Sequence, residues 1–561
     1  MIIRCLTFLG ALLSVFISPL ALGALDRFSD FALLDANGNF HQLSRYQHRD
    51  ALVIMSYDAN CPASRGQLQA LLEAKKSHTG ANIEFLLLDS LDLGRAKLSQ
   101  LPLELPILED DGQLVSESLD IAKSGEVLVF NPQRKSLYYR GSASESLSGV
   151  IDQVLAGTIT DTQEEIGAGC DIEYPLAVMH RNNPPDYVTD IAPIIQTRCV
   201  ECHRQGGVGP FAMDSYIMLL GWSPMIREVL LNKRMPPTQV DPYIGHSENA
   251  RYINKDELQT LVHWIDNGAP RGSSAEDPLE LVASVSTEWA LGEPDYIVSA
   301  PQHDVPPTGV LDYYYKTVAL PFTEDKWIRA IQYRAGDPSV LHHLMTFVIA
   351  DGEDFWGAER TQLSVARGFL GGFSPGSANV TSYPDGTGVL VPAGHSLAMQ
   401  FHYVTNGQAT TDTTQIGLYF SASNDLNELI TLAVSTRFEL PPNTADYPQQ
   451  ASHVFDTSVM LVAVRARMNQ RGKRMKFSKQ STNGIEQGIL SVPAYNYGWQ
   501  PNYLLSDPVK LSAGESIVVS GGFDNSVSNP SNPDPTKSVP FGLESWEEMF
   551  SGYVTYYELK P

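Results

Sequence analysis

Cysteine, basic residues and long apolar runs are all scarce in this chain. Five cysteines occur among 561 residues, too few for a scaffold built from disulfide bonds. Lys and Arg number 39 against 64 Asp and Glu, and the formal net charge of −25 disfavours binding to nucleic-acid phosphates. After residue 23, no segment approaches the roughly 20 consecutive apolar residues of a membrane-spanning helix. The sequence therefore predicts globular domains without a transmembrane span.

The first 23 residues have the character of a secretory signal. A single charge, Arg4, precedes an apolar run, and the small residues Ala21 and Gly23 stand where a signal peptidase cuts. The alternative is a membrane anchor. We expect cleavage, which would remove Cys5, and a periplasmic or secreted protein.

The remaining four cysteines include a CxxCH motif. Cys199 and Cys202 have the spacing that joins two thiols to the vinyl groups of a haem, and His203 then lies under the iron. The alternatives are a chance CxxC or half of a zinc site. A zinc site would need a second ligand pair, and the sequence has no other CxxC or HxxxH pair. The motif therefore predicts one covalently bound haem c.

The sixth ligand of the haem iron must come from further along the chain. We favour Met235, because the prolines that follow it stiffen its loop. The other candidates are Met213, Met218, Met225, His246 and His263. Residues 188–272 resemble exported bacterial cytochrome c domains in the strings IAPIIQTRCVECHRQGGVGPFAMDSY, KRMPP and LVHWIDNGAPRG.

The pattern of apolar residues differs between the two ends of the chain. Residues 25–158 alternate apolar runs such as ALVIMSY, IEFLLLD and EVLVFN with the helical stretch SRGQLQALLEAKKSH, which predicts a β-α-β unit and a mixed sheet. From about residue 288, runs such as VLHHLMTFVIA, HSLAMQFHYV and ESIVVSGGF alternate with turn residues. This second pattern predicts two β-sandwich or jelly-roll units.

Three histidines in the strand-rich region suggest a metal site. His342 and His343 are adjacent on a predicted strand, and His402 lies on a later one. Adjacent strand residues normally face opposite ways, so both can bind one metal only where the strand twists or bulges. Three neutral imidazoles suit copper or zinc. The alternative is three structural histidines.

The surrounding strings resemble the copper type II, ascorbate-dependent monooxygenases, the family of the peptidylglycine and dopamine hydroxylases. They are VLHHLMTFVIA, YPDGTGVLVPAGHSLAMQFHYVTNG, PAYNYGWQPNYLL, FDNSVSNPSNPDP and WEEMFSGYVTYYEL. The resemblance implies two jelly-roll halves with one copper each. It assigns His342, His343 and His402 to the first copper, and a methionine at the position of Met549 to the second.

The second copper site departs from the family pattern. The resemblance expects two histidines at Arg467 and Asn469, where arginine has no lone pair and the amide oxygen is a poor Cu(I) ligand. One alternative is an irregular site from His453, Met468 and Met549. We expect instead that the second copper is weak or absent and that Met549 is a packing residue. Arg467 either fills the metal position and pairs with a carboxylate, or is a surface arginine.

The segment around Cys61 resembles the thioredoxin and peroxiredoxin superfamily. The string NCPAS follows a predicted strand and opens a helix, whose amino terminus favours a thiolate. Only one thiol stands where thioredoxin has two, and Asp58 replaces the Thr usual in peroxiredoxins. Cys170 either pairs with Cys61 or acts as its resolving thiol, or the two are unrelated reduced cysteines.

Together these resemblances imply a multidomain chain. A signal peptide and a thioredoxin-like α/β domain are followed by a linker, a small all-α cytochrome c domain and two all-β jelly-roll domains. The expected bounds are 1–23, 24–158, 159–187, 188–272, 285–422 and 423–561, in that order.

The resemblances imply an exported oxidoreductase similar to the copper-dependent monooxygenases, which holds haem c and copper and passes electrons from the haem to the three-histidine site. The alternative is a non-hydroxylating electron-transfer or copper-binding protein, because the second copper site lacks its histidines. A third interpretation is a thiol-redox role centred on Cys61. The sequence leaves open whether the chain is an enzyme. It identifies neither a small-molecule or peptide substrate nor an electron-donor protein.

Overall fold

The computed structural model describes residues 27–560 except 206, 208, 238–239, 283–287, 354, 356–367, 374–378, 543 and 545. The expected signal peptide, residues 1–23, lies outside the described residues. Within the described part, no helix combines the length and the apolar character needed to cross a membrane.

The N-terminal region is built on an eight-stranded mixed sheet in the order β2-β1-β5-β4-β3-β7-β8-β9, with the separate pair β6 and β10. The strands are β1 (Ala32–Asp35), β2 (Phe40–Gln42), β3 (Ala51–Ser56), β4 (Ile83–Asp89), β5 (Ile107–Glu109), β6 (Lys123–Ser124), β7 (Val127–Asn131), β8 (Ser136–Gly141), β9 (Gln163–Glu164) and β10 (Cys170–Asp171). The helices are α1 (Pro62–Ser77), α2 (Arg95–Leu98), α3 (Leu114–Ser118) and α4 (Glu145–Leu155).

The burial of the central strand β3 shows that this sheet is covered on both faces. Its six residues, ALVIMS, are all buried, as expected for a strand with packed layers on either side. β3 pairs in parallel with β4 and antiparallel with β7. On one face, Leu68 and Leu71 of α1 share a core cluster with Val53. The α/β pattern predicted from the sequence is confirmed here.

The segment expected to be a linker, residues 159–187, carries more structure than its composition predicts. β9 extends the main sheet by pairing with β8, and β10 pairs with β6. Helix α5 (Pro175–Asn182) follows. The segment is thus attached to the N-terminal region through these two short strands, whose backbone groups pair with strand edges.

Helices are few in residues 188–272. They are α6 (Ala192–Arg198), α7 (Tyr216–Leu231) and α8 (Lys255–Asp266), preceded by a single π-helical turn at Tyr187–Ile191. A buried cluster that includes Ile195, Leu230 and Trp264 holds them together. Turns and loops form much of the remainder, so the predicted all-α cytochrome c domain is not evident from the fold alone.

The C-terminal region is rich in β-structure, as predicted, and contains two pairs of packed sheets. The first pair is formed by β11-β21-β14-β18-β22, with β17 beside β14, and by β13-β19-β15-β16; β12 pairs with β20. These strands are β11 (Tyr296–Ser299), β12 (His303–Val305), β13 (Tyr314–Ala319), β14 (Lys326–Arg334), β15 (Leu341–Ile349), β16 (Phe369–Phe373), β17 (Val380–Ser382), β18 (Thr387–Val391), β19 (Ser396–Tyr403), β20 (Thr410–Asp412), β21 (Gln415–Phe420) and β22 (Asn427–Glu428). Ile331 and Leu418 from one sheet pack against Leu344 and Met399 from the other.

The second pair consists of β23-β32-β26-β29 and β25-β30-β27-β28, with β24 beside β31. The strands are β23 (Ile430–Thr436), β24 (Glu439–Leu440), β25 (Tyr447–Val454), β26 (Val459–Arg467), β27 (Gly472–Gln480), β28 (Glu486–Val492), β29 (Tyr503–Leu511), β30 (Ser516–Phe523), β31 (Val539–Pro540) and β32 (Phe550–Glu558). Val464 and Val554 from one sheet pack against Phe477 and Val519 from the other.

The loop that contains Asp241 and Tyr243 joins residues 188–272 to the N-terminal region and to the second sandwich. Arg95 of the N-terminal region donates to both carboxylate oxygens of Asp241, at 2.7 and 2.6 Å, and its guanidinium lies over the ring of Tyr243. The same loop bonds the second sandwich, where the Asp241 amide donates to the Ser491 carbonyl at 2.9 Å. The loop therefore contacts both the N-terminal sheet and the last β-sandwich.

Candidate metal centre

Three histidines from two paired strands of the first sandwich form one cluster. His342 and His343 lie on β15, and His402 lies on β19. The pairing places Leu341 opposite Tyr403 and His343 opposite His402, so His342 is one extra residue in β15. Such an extra residue is a β-bulge, which bends a strand and redirects its side chains. The structure thus has the bulge that two adjacent histidines need in order to face one metal.

The geometry of the cluster suits a single ion. The donor atoms lie within 4.8 Å of one another. The ring centroids are 5.4 Å apart for His342 and His343, 5.1 Å for His342 and His402, and 4.9 Å for His343 and His402. Because metal–nitrogen bonds are about 2.0–2.1 Å long, nitrogens on one ion are at most about 4 Å apart. Small ring rotations would bring all three onto one ion.

Two nitrogens of the cluster are buried without a hydrogen-bond partner among the described residues. They are Nε2 of His343 and Nδ1 of His402. Burial, followed by the charges of His402 and Arg467, holds the pKa of His343 well below its ordinary value. Burial and the charge of His342 lower the pKa of His402 to about 4. Both rings are therefore neutral at pH 7, and their free lone pairs fit the copper that the sequence predicts.

Arg467 occupies a buried position in the second sandwich, so its interpretation as a surface arginine is wrong. Its side chain is 3% exposed. It donates to Oε1 of Gln500 at 3.0 Å and to the hydroxyl of Tyr313 at 3.3 Å. These partners are an amide and a phenol, whereas a carboxylate was expected. Arg467 reaches them because it lies at the end of β26, where the two sandwiches meet.

The other two positions of the expected second copper site also have structural surroundings. The Asn469 amide group donates to the carbonyls of Glu544 and Glu547, at 2.8 and 3.0 Å. Met549 is 4% exposed. His453 lies on β25, in the opposite sheet of the sandwich, and its ring packs edge-on against Phe455. The residues present do not fit a second copper, because none of them brings an imidazole to Arg467, Asn469 and Met549.

The haem motif follows α6 directly. Cys199 and Cys202 are free, half-buried thiols. His203 is 8% exposed, and its Nδ1 lies 3.0 Å from the Phe211 carbonyl, to which it donates when protonated there. That tautomer leaves Nε2 with a free lone pair, and burial lowers the pKa of His203 so that the ring is neutral. Two free thiols beside an oriented imidazole fit a covalently bound haem.

Met235, the sixth ligand expected from the sequence, lies in the loop after α7. It lines a cavity of about 160 Å³ together with Tyr252 and Leu258, and with Leu34 and Phe40 of the N-terminal region. Cys199, Cys202 and His203 are not among the lining residues of that cavity. Met235 therefore stays a prediction as the sixth ligand of the haem iron.

His263, one of the alternative ligands for the haem iron, already has partners on both ring nitrogens. His263 is 3% exposed, with Nε2 2.9 Å from Oε2 of Glu117 and Nδ1 2.8 Å from Nδ1 of His180. Since both ring nitrogens have partners, His263 has no lone pair free for iron. Met213 is buried in the core beside Leu219, which agrees with its interpretation as a core residue.

Cys61 and Cys170 form a disulfide bond. Cys61 is 1% exposed at the amino terminus of α1, and Cys170 is exposed on β10. The pairing of β10 with β6 brings the two cysteines together, because Cys170 lies opposite Ser124. A Cβ atom on Gly169 would lie 1.6 Å from the Ser124 carbonyl oxygen, so this close approach requires glycine. The interpretation of two unrelated reduced cysteines does not hold in this structure.

Sequence reasoning missed the tyrosines at the cluster. The Tyr313 ring lies 5.6 Å from that of His343 and 5.1 Å from that of His402. Its hydroxyl is 2.9 Å from the hydroxyl of Tyr497, which belongs to the second sandwich. The signal available was the aromatic composition of YYYK and PAYNYGW, which does not by itself distinguish core residues from residues beside a metal.

Comparison with known proteins identifies one part of the chain. Residues 24–141 match the model of the AhpC/TSA family. No curated protein matches the chain.

Solved structures similar to the chain cover about a quarter of it. A hypothetical protein from Sinorhizobium meliloti 1021 is 22% identical, with a TM-score of 0.25, covering 28% of this chain and 96% of that one. Peroxidoxin BcpB from Mycobacterium tuberculosis is 19% identical, with a TM-score of 0.20, covering 24% and 96%. A putative thiol:disulfide interchange protein DsbE from Chlorobium tepidum is 13% identical, with a TM-score of 0.21, covering 25% and 99%. From the family match and the sheet described above, residues 24–141 are a thioredoxin-like domain of the AhpC/TSA family.

Proposed function

We propose that this chain is an exported oxidoreductase that binds one haem c and one copper ion and exchanges electrons between them. The proposal rests chiefly on the unpartnered buried nitrogens of His343 and His402, because an apolar interior leaves such atoms bare only at a cost that a metal would remove. The CxxCH motif, with its free thiols and oriented His203, supports the haem.

The domain assignment forms part of the proposal. Residues 188–272 are proposed as the cytochrome c domain, with Cys199, Cys202 and His203 holding the haem and Met235 as its sixth ligand. Residues 285–422 and 423–561 are proposed as the two jelly-roll halves. A periplasmic or secreted location is supported by the disulfide, since disulfides persist in oxidising compartments.

The chain's own residues prepare the copper site. A bound copper ion would supply one-electron chemistry there. His342, His343 and His402 provide neutral nitrogen donors, and burial keeps protons from competing with the metal. The Tyr313 ring lies beside the cluster, and its hydroxyl contacts that of Tyr497 in the second sandwich.

Hydroxylation is not part of the proposal. In the family that the sequence resembles, the second copper is the site of oxygen chemistry, and here Arg467 and Asn469 replace its histidines. Arg467 is buried and hydrogen-bonded, which supports a permanent replacement of the metal by a guanidinium. Met549 is then a core residue.

Metal analysis of the protein, produced in a host that attaches haem c, tests the proposal. We expect one copper and one iron per chain in the wild-type protein. The variant His402→Ala should lose copper and keep iron, because it removes one of three ligands. The matched control is His395→Ala, which changes a half-buried histidine just before the same strand and should keep both metals. A wild-type protein without copper contradicts the proposal, and two coppers would restore the hydroxylase alternative.

A second function, thiol–disulfide exchange, is favoured by the Cys61–Cys170 disulfide. A thiolate of a partner attacks the exposed Cys170 sulfur, the disulfide bond breaks, and Cys61 leaves as a thiolate at the amino terminus of α1. Attack by a second thiolate on the mixed disulfide frees Cys170 and leaves the partner oxidised.

The reverse reaction provides the test. Fully reduced, haem-loaded protein, in which Cys199 and Cys202 are held as thioethers, should reduce oxidised glutathione, whereas Cys170→Ser should not, because Cys61 is buried. The variant Cys61→Ser should instead accumulate a mixed disulfide at Cys170. Reduced wild-type protein that leaves oxidised glutathione unchanged would assign the disulfide a purely structural role.

A further inference from the structure

Two arginines on β26 carry buried positive charge where the sandwiches meet. Arg465 and Arg467 are 5% and 3% exposed, and their spacing of two places both on one face of the strand. In the part of the chain that the structure describes, neither guanidinium has a carboxylate within 4.0 Å. Nε of Arg465 is buried without any hydrogen-bond partner among those residues.

Both arginines reach toward the sandwich that carries the three histidines. Cζ of Arg467 lies 5.8 Å from the centre of the Tyr313 ring, whose other neighbours are His343 and His402. A Cβ atom built on Gly372 would lie 3.5 Å from Nη1 of Arg465. Gly372 is on β16, the strand that pairs with β15. The two charges therefore approach the cluster from one side.

These charges persist at neutral pH. Burial and the neighbouring Arg467 lower the pKa of Arg465 to about 10, which still leaves it protonated at pH 7. Arginine does not otherwise lose its proton in proteins. In a buried environment, fixed charges act on nearby charges far more strongly than they do in water. A positive field of this kind disfavours the more highly charged of two metal oxidation states.

We propose that Arg465 and Arg467 set the oxidation-state preference of the three-histidine site, so that it holds Cu(I) in preference to Cu(II). This inference rests on the proposed function, since it requires copper at the cluster. Arg467 does not contact the metal. The electric field of its charge acts on the site across space and through Tyr313. The neutral histidines contribute no negative charge that would offset the field.

Affinity measurements on the full-length protein test this inference. Copper(I) and copper(II) are titrated separately against competing chelators, and the ratio of the two dissociation constants is compared between variants. Removing one charge with Arg467→Gln should shift the ratio about tenfold toward Cu(II). Arg467→Lys should keep the wild-type ratio, because it retains the charge while changing the shape.

Two further variants separate charge from packing. Gln500→Glu leaves Arg467 in place and adds a negative charge beside it, since Gln500 already accepts its hydrogen bond at 3.0 Å. It should shift the ratio in the same direction as Arg467→Gln. Arg474→Gln is the control, because Arg474 is paired with Asp446 on the outer face of β27 and should leave the ratio unchanged.

The outcomes distinguish the two proposals. A wild-type protein that binds neither Cu(I) nor Cu(II) contradicts the proposed function. A protein that binds copper with the same ratio in the wild type, Arg467→Gln and Gln500→Glu contradicts only this inference, and implies that the arginine charge is already neutralised.

Discussion

The buried carboxyl group of Asp110 makes the N-terminal domain sensitive to pH. Its oxygens accept hydrogen bonds from the Ser116 amide and hydroxyl and from the Val115 amide, at 2.7, 2.6 and 3.1 Å. Burial nevertheless raises the pKa of Asp110 from 3.8 to about 7. The raised pKa means that the folded state favours the protonated acid. This contribution to stability is full below pH 3.8 and is lost as the pH rises toward 7.

We therefore expect the free energy of unfolding to fall between pH 4 and pH 7, and Asp110→Asn to remove most of that fall. Burial raises the pKa of the nearby Asp89 to about 6, so a smaller dependence should remain. Denaturant unfolding across this pH range, followed by a probe in the N-terminal domain, is the measurement. Identical pH profiles for the two proteins would rule out Asp110 as the responsible group.

At the scale of single residues, the sequence predicted the histidine cluster but did not predict the surroundings of Arg467. The histidine types alone left structural histidines as an alternative, and the resemblance of the surrounding strings assigned His342, His343 and His402 to one metal. The burial of Arg467 was not predictable, since arginine is usually at the surface and its partners, Gln500 and Tyr313, come from distant segments. Long-range packing of this kind leaves no local pattern.

Helix α8 shows how one element helps to hold residues 188–272 together. Asn254 caps its amino terminus by accepting from the Glu257 amide at 2.8 Å, and Glu257 accepts from the Asn254 amide in return at 3.0 Å. Glu257 also pairs with Arg198, at the end of α6, immediately before Cys199. The cap therefore links the start of α8 to the segment that carries the haem motif.

We expect Asn254→Ala to destabilise this helix by about 1 kcal/mol, the usual contribution of an N-cap. Hydrogen exchange of the amides in the first turns of α8 should become about fivefold faster. The variant Asn254→Ser keeps a capping oxygen and should leave the exchange close to wild type. Equal exchange in all three proteins would show that packing against α7 and α5 is enough to fix the helix.

Elements with strong local patterns were predicted, and those made by tertiary pairing were not. The runs ALVIMSY and VLHHLMTFVIA became β3 and β15, because uninterrupted apolar residues favour covered strands. β9 and β10 are two residues each and form only because strand edges lie beside them. The bulge at His342 likewise depends on register with β19, although the adjacent histidines signalled the need for one.

At the scale of the whole molecule, the loop around Gly245 holds residues 188–272 against the second sandwich. This glycine has φ +72°, and a Cβ atom there would lie 1.8 Å from the Ile489 carbonyl oxygen of the last sandwich. Nearby, the Ser506 amide donates to the His246 carbonyl at 3.0 Å. The loop can lie against the sandwich this closely only because residue 245 has no side chain.

We expect Gly245→Ala to loosen the contact between residues 188–272 and the second sandwich while leaving each folded. Limited proteolysis should then cut the chain near residues 237–250 many times faster than in the wild-type protein. Gly484→Ala is the matched control, because Gly484 has a similar φ of +84° but open space around it. If both variants are cut equally fast, backbone strain and not the clash accounts for the effect.

The Cys61–Cys170 bond turns 110 consecutive residues into a covalent ring, since the two cysteines are 109 positions apart. Most strands of the N-terminal sheet, from β4 to β9, lie on that ring. A protease that cuts once anywhere on it releases nothing, because the two pieces stay tethered through sulfur. On a denaturing gel such nicked protein should run as one band until a reductant is added, and then as two.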